Sequence, residues 1–530
     1  MREYNVILKE GINYDEFWDD IESDTDGGKL YIPNRKVEFT NERIASLRQC
    51  WYLLTDEEAE QLKLDDRVFD VEIPPEHRTD IFITPNAVQV GNFDKTTSST
   101  GDSLNWGMIR CNGLFNPYGG LNTTALNYTY TLTGEGVDVV IQDSGLQVNH
   151  PEFNDETGSS RVQQINWYTE SGISGTQSAN HYRDFDGHGT HVAGTVAGRT
   201  YGWAKKARVY SQKLNGLEGS GDSGTGISIT DAFDTIKLWH RNKPVDPNTG
   251  YKRPTVVNMS WGYLTGYNTV SSLTYRGVSY TDASTTSNAT YRENTYGLIN
   301  VSGANIGTTY ATNVRVSSVD TDVNELIAEG VHVCIAAGNR GHKVDIVSGS
   351  DYDNFVVTNA STTYYHRGSS PSSVNAINVG NMDSVVGVDG NAFLDKKATS
   401  SETGPGVDIY APGTNIMSAC STTNAFSAQN YYLNASFRQV NISGTSMASP
   451  QVAGMVALLL ELSPAATPFQ IKQSLLNSAG SYIYVTANNN DWTDRRSLYG
   501  GAAKVLYNKF NQDVSTTVTG EFVNFAGVGV

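Results

Sequence analysis

VDVVIQDSG, residues 137–145, reads as a buried strand running into a tight turn. Four of its first five residues are apolar, which suits a strand covered on both faces, and the run delivers Asp143 to its carboxyl end. TVVNM (Thr255–Met259) and VHVCIAA (Val331–Ala337) repeat the pattern further along, with helical segments between them. Buried strands alternating with helices imply a mostly parallel sheet in a three-layer α/β fold, and such sheets carry their chemistry at the carboxyl ends of the strands.

The chain before this region has a different character. Residues 1–73 hold 19 Asp and Glu against 9 Lys and Arg, a net of −10 out of −18 for all 530 residues. YNVILK (Tyr4–Lys9) is strand-like, and Tyr14, Phe17, Trp18 and Ile21 recur at helical spacing. Strand-like runs follow around Leu30–Phe39 and at Gln49–Leu54. Thr55, with Glu58 three residues on, has the capping-box pattern and opens a second helix running through Gln61. VFDVEI (Val68–Ile73) is the last strand. The order β-α-β-β-α-β predicts a small ferredoxin-like α+β unit. Residues 74–104, polar and rich in small residues, are expected to be a mobile linker. The larger domain then runs over 105–508, with polar, Tyr-rich surface insertions near 263–322 and 341–372, and 509–530 form a tail.

Composition excludes some roles. With 38% apolar and 18% charged residues the chain can bury a full core, and a charge of −18 argues against a nucleic-acid partner, which needs a basic face. The opening thirty residues lack the apolar core of a secretory signal, and no apolar run approaches the roughly 20 residues of a membrane span. These readings predict a protein with no membrane partner, either cytoplasmic or associated with a virus particle. Cys50, Cys111, Cys334 and Cys420 have neither zinc nor disulfide-scaffold spacing and are expected to be free thiols.

Four motifs stand at the ends of buried elements. Asp143 closes the strand quoted above, and His188 lies on a Gly-flanked turn entering a helix in DFDGHGTHVAG (Asp184–Gly194). Asn339 follows the strand of VHVCIAAGNRG, and Ser446 opens a long apolar helix in SGTSMASPQVAGMVALLLEL (Ser443–Leu462). A serine hydroxyl needs a base to become a nucleophile, a neutral imidazole is such a base, and a carboxylate on its far nitrogen orients it. A helix N-terminus and an Asn amide both suit a developing oxyanion. The HGTH pair His188 and His191 also admits a metal-site reading. Zinc catalysis, however, wants a third protein ligand and usually a Glu inside the motif, and HGTH offers Gly and Thr. His191 is read as a helix-packing residue.

DSG, HGTHVAG, AAGN and GTSMASP, in that order, resemble the subtilisin-like serine proteases, and HPEF (His150–Phe153) with GRTYGWAKKA (Gly198–Ala207) resembles the proteinase K branch. The resemblance implies that Asp143 orients, His188 is the base, Asn339 stabilises the oxyanion and Ser446 attacks a peptide bond, with no cofactor required. It implies that residues 1–73 are a propeptide that inhibits the enzyme within the same chain, and that self-cleavage falls within 74–104. Gly219, Ser220 and Gly221 on one side, and Ser260, Trp261 and Gly262 on the other, match the segments that hold an extended protein or peptide substrate. Ala337 and Gly338 match a wall of the specificity pocket. The carbonyls of Val374 and Ala376 with Asp408 match a structural Ca2+ site. Three positions depart from the family: Gln142 and Gln451 stand where an aliphatic residue and a His are common, and Trp261 stands where Leu is common, which leaves the shape of the adjoining pockets open. Because both units are acidic, their association is expected to rest on apolar contact and strand pairing and to tolerate salt. The alternative reading is a structural or binding protein on a retired protease fold.

Overall fold

The structure is a computed structural model that describes residues 1–22, 37, 39–43, 45–78, 82–85, 105–113, 130–247, 250–300, 310–358, 361–385, 394–488 and 491–511. Positions 30–36 and 38 of one expected strand, most of the linker after Pro85 and the tail after Asn511 lie outside these residues.

The acidic unit has the expected order: β1 (Arg2–Leu8), α1 (Tyr14–Glu22), β2 (Phe39–Glu42), β3 (Gln49–Leu54), α2 (Asp56–Leu62) and β4 (Val68–Glu72). Its sheet is antiparallel, in the order β2-β3-β1-β4. Alternation along β1 sends Val6 and Leu8 into a core with Phe17, Ile21, Tyr52 and Val71, while Asn5 pairs with Gln49 on the other face at 2.8 Å. Thr55 forms the full capping box with Glu58.

The larger unit is built on six parallel strands. In chain order they are β6 (Asp138–Asp143), β7 (Arg208–Lys213), β8 (Thr255–Met259), β10 (His332–Ala336), β11 (Ile377–Met382) and β12 (Ile409–Pro412), and β9 (Trp261–Tyr267) continues from β8 into a separate sheet. The spatial order is β12-β11-β10-β8-β6-β7, with every pairing parallel. One face is covered by α3 (His188–Ala197) and the long helix α6 (Thr445–Leu462), the other by α4 (Ile229–Asn242) and α5 (Ser317–Ala328). Val139 and Ile141 join the first core while Val140 joins the second, so three successive apolar residues of β6 are explained by its burial on both sides. A last helix, α7 (Pro468–Ser478), opens with a second capping box, between Thr467 and Gln470.

Three expectations need correcting. The linker is not wholly unstructured: Phe82–Pro85 form a strand, β5, that pairs antiparallel with β9. The two insertions are more than surface hairpins. Ser272–Tyr275 and Val278–Tyr280 from the first combine with Phe355–Thr358 and Ser361–Tyr364 from the second in one four-stranded sheet. Their tyrosines bury apolar ring bodies, Tyr267, Tyr296, Tyr310 and Tyr365 forming a satellite core with Leu273, Leu298 and Val356.

The third correction concerns how the units meet. Arg43 of the acidic unit is buried between Asp234 of α4 and Asp322 of α5, at 3.1 and 2.8 Å. Gln49 and Ser46 add hydrogen bonds to Asp322 and Glu325. The start of α5 has no side-chain cap of its own, and Glu72 supplies one, accepting from the backbone N–H of Ser317 and Ser318 at 3.2 and 2.8 Å. Glu76 does the same for Thr230 near the start of α4. The units thus meet through ion pairs and helix-start hydrogen bonds as well as through the expected strand pairing, that of β5 with β9. Two carboxyl groups from outside the larger unit thus find donors at its helix starts, and burial there pushes the Glu72 carboxyl up to about 7.

Candidate active site

Each motif arrives at the carboxyl edge of the parallel sheet for a local reason. Asp143 is the last residue of β6 and fully buried. His188 is the first residue of α3, behind Gly187, whose φ of 96° lies in the left-handed region that favours glycine. Asp184 holds this turn in place, accepting from the N–H of Gly187 at 2.8 Å and of Thr190 at 2.9 Å and from the Ser144 hydroxyl at 3.0 Å. Ser446 lies in the first turn of α6, and Asn339 three residues beyond the end of β10.

His188 Nδ1 lies 2.7 Å from Asp143 Oδ1, which also accepts from Ser144 N at 2.7 Å. Burial disfavours a charged His188, but the charge and hydrogen bond of Asp143, with Asp186 and Asp184 behind it, prevail and raise its pKa. Burial pushes the Asp186 carboxyl up to about 6. His188 Nε2 and Asp143 Oδ2 are buried with no hydrogen-bond partner among the described residues. Ser446 Oγ donates to the carbonyl of Ser260 at 2.9 Å, and Ser260 Oγ returns a bond to Ser446 O at 3.0 Å. Both His188 and Ser446 are fully buried in the whole chain.

Asn339 Oδ1 accepts from Thr445 N at 2.9 Å and Thr445 Oγ1 at 3.1 Å, and Gly338 N donates to the same hydroxyl at 3.1 Å. Thr445 thus commits the acceptor end of the amide, directing its NH2 end away from Thr445. Glu402 holds the same turn from behind: its backbone N–H donates to Gly338 O at 2.9 Å, and Oε1 accepts from Arg340 N at 3.1 Å and Asn313 Nδ2 at 2.8 Å. Burial pushes the Glu402 carboxyl up to about 8. Gly338 has φ 114°, and a Cβ there would stand 2.7 Å from Glu402 Cγ, so the position needs glycine. The motifs do not flag Glu402. Asp184 and Thr445 lie inside quoted motifs, and their signal was adjacency to His188 and Ser446.

The segments expected to grip a substrate are placed differently from one another. Ser260, Trp261 and Gly262 lead into β9, the strand paired by β5: Thr84 stands opposite Gly262 and Pro85 opposite Trp261. Gly219, Ser220 and Gly221 form a turn with positive φ at both glycines, Gly219 against the backbone of Phe185 and Asp186, and no strand pairs there among the described residues. Trp261 does not reshape a surface pocket. It is 1% exposed and turned inward, where its indole N–H donates to Gln142 Oε1 at 3.2 Å and Gln142 donates on to Gln212 at 3.0 Å. Two departures from the family are therefore one feature, a buried donor and its acceptor. Gln451 is similarly occupied, accepting from Trp203 Nε1 at 2.7 Å and exchanging bonds with Asn105.

His191 faces away from His188. Its Nε2 lies 2.9 Å from Ile416 O and 3.1 Å from Val440 O, and burial lowers its pKa to about 3, so it is a neutral donor. Among the described residues no group of three or more His, Cys, Asp and Glu is placed to hold a metal ion. The three oxygen donors expected at a Ca2+ site do converge, but on the side-chain amine of Lys472. All four cysteines are buried and unbridged. Among the described residues no helix is long and apolar enough to cross a membrane.

Fold, site geometry and comparison with known proteins agree on the class. Residues 134–501 match the Subtilase family (Peptidase_S8), and the chain belongs to that family of serine proteases. It is similar to the extracellular serine proteinase of Thermus sp. (strain Rt41A), 28% identical over 432 residues covering 82% of this chain and 71% of that protein. It is also similar to proteinase R of Parengyodontium album, at 28% identity covering 71% of this chain and 64% of that one. A cuticle-degrading serine protease of Arthrobotrys oligospora is 26% identical over 72% of this chain and 64% of its own length. The chain thus spans just under two thirds of the last two relatives. Among solved structures, fervidolysin from Fervidobacterium pennivorans, a keratinolytic enzyme related to subtilisin, shares the fold with a TM-score of 0.50 at 18% identity, covering 95% of this chain and 60% of that one. The expectation of a cytoplasmic or virus-particle location is overturned. The Thermus relative is named extracellular and the Arthrobotrys relative cuticle-degrading, names that point to secretion.

Proposed function

We propose that the protein is an extracellular serine endopeptidase made as a self-inhibited, self-processing precursor. Ser446 attacks the substrate carbonyl and passes its proton to His188 Nε2. Asp143 holds the imidazole through Nδ1 and stabilises the imidazolium that forms. The Asn339 amide and the N–H groups at the start of α6 take up the negative charge on the carbonyl oxygen. His188 then gives the proton to the leaving amine, and water repeats the sequence on the acyl-enzyme. Nucleophile, base and oxyanion donors all come from the chain itself, and the substrates are proteins or peptides. The observation carrying this reading is the 2.7 Å contact between buried Asp143 and His188, with Ser446 in the first turn of the helix α6 that packs against α3.

Residues 1–73 act as the inhibitory propeptide and 105–508 as the peptidase. Support comes from β5, which lies antiparallel on the strand that would hold a substrate, with Pro85 one residue short of Ser260 in the register. Glu72 and Glu76, capping peptidase helices, support it too. Self-cleavage is expected within 74–104, shortly after Pro85. Intact mass followed over hours for the parent and for Ser446→Ala tests the proposal. The parent should split in that window and take up a fluorophosphonate at Ser446, and the variant should do neither. A parent that stays whole and unlabelled would leave a binding protein on a protease fold.

A further inference from the structure

Lys472 reaches from the middle of α7 to the place that the family resemblance gives to calcium. Its Nζ lies 2.8 Å from Val374 O, 2.6 Å from Ala376 O and 2.8 Å from each oxygen of Asp408. An ammonium has three N–H donors and no acceptor, and here two carbonyls and a carboxylate use all three. Asn378 steadies the carboxylate from the side, donating its backbone N–H at 2.9 Å and its amide at 3.3 Å. The side chains of Lys472 and Asp408 are only 10% and 20% exposed.

We propose that Lys472 is a built-in replacement for the structural calcium ion, so that this corner of the fold is indifferent to calcium. As the chain stands, the residues do not fit the ion. Calcium takes oxygen ligands at roughly 2.3–2.6 Å, and an amine whose nitrogen is within hydrogen-bond reach of all three ligand groups occupies that point. One ammonium also neutralises the one carboxylate, so Asp408 has its countercharge within the chain. A divalent ion would have to expel Lys472 and recruit water to reach six or more oxygens. The position tells what the device does. Val374 and Ala376 precede β11 and Asp408 precedes β12, at the amino edge of the sheet, away from Asp143 and Ser446. The ammonium fastens α7 to that edge, so its contribution is to stability.

Thermal unfolding of the full chain in a Ser446→Ala background, in calcium chloride and in EGTA, tests this without reference to protease activity. The deciding quantity is the calcium-dependent shift in Tm that disappears with Asp408→Asn. It is expected to be zero in the parent. Lys472→Ala is expected to melt several degrees lower in EGTA, because it leaves a carboxylate and two carbonyls without their cation, and to recover part of the loss in calcium. That recovery should vanish in Lys472→Ala/Asp408→Asn. A parent whose Tm rises in calcium through Asp408 overturns the proposal, as does a folded Lys472→Ala with no Asp408-dependent response. Should Lys472→Ala fail to fold, calorimetric titration of the parent and Asp408→Asn with calcium chloride decides: equal heats uphold the proposal, and an Asp408-dependent heat overturns it.

Discussion

Two clusters at opposite edges of the six-stranded sheet, Lys472 with its acceptors and His188 with Asp143, satisfy their buried polar atoms to different degrees. At the amino edge the three donors of Lys472 all have acceptors. At the carboxyl edge His188 Nε2 and Asp143 Oδ2 are buried without a described partner. A buried polar group left unpaired costs about 1–3 kcal/mol, and at this site His188 Nε2 has to be free to take a proton.

Removing the reacting groups should cost mainly rate. Ser446→Ala or His188→Ala should lower peptide hydrolysis by roughly a millionfold, the scale found for the same triad in subtilisin. Ser446→Ala should leave the unfolding midpoint little changed, whereas His188→Ala should lower it by leaving buried Asp143 without its partner. Assay of a fluorogenic peptide beside a melting curve checks both halves. Asp143→Asn should cost about ten-thousandfold by leaving His188 in the wrong tautomer. It should also move the acid limb of kcat/KM. With the His188 pKa raised in the fold, the base is neutral, and activity present, only above a point higher than about 6.5, and loss of the Asp143 charge should move that point down. Stability runs the other way, since the charged His188–Asp143 pair stabilises fully below about 6.5 and its contribution is lost as pH rises through the raised pKa.

Finer tests sharpen the contrast. Asn339→Ala should lower kcat by about a hundred- to a thousandfold with KM little changed, a range measured within this family. Thr445→Val removes one of the two bonds that Asn339 Oδ1 accepts from Thr445, together with the acceptor of the Gly338 N–H, and should cost less in kcat with KM little changed. The pair Gln142 and Trp261 sits at the reactive edge yet is satisfied, so it should behave like the opposite edge. Gln142→Val should cost about 1–3 kcal/mol by stranding the indole N–H, and much of that should return in Gln142→Val/Trp261→Leu, a coupling measurable by urea unfolding.

Much of this was legible in the sequence because it depends on local order. A strand buried on both faces is apolar on successive residues as well as alternate ones, so VDVVI, TVVNM and VHVCIAA announce the sheet, and Asp143 and Asn339 stand where those runs stop. The helix-opening positions of His188 and Ser446 were equally plain. Partnerships across long separations were not. Nothing in PFQIKQSLLNS tells that Lys472 ends at Asp408, nor in ETG that Glu402 clamps the turn of Asn339. Each depends on strands and helices first being assembled. Gln142 and Trp261 looked like separate anomalies because their hydrogen bond spans 119 positions. The insertions hid their common sheet for the same reason, and charge totals concealed Arg43, a single cation set among carboxylates.

The strand Phe82–Pro85 has a kinetic consequence. It is tethered to the sheet it covers, so its local concentration is set by the length of chain joining them and is untouched by dilution. Activation should therefore be first order, with a half-time independent of how much protein is present. Once the tether is cut the same contact becomes bimolecular, and dilution alone should then release the cleft.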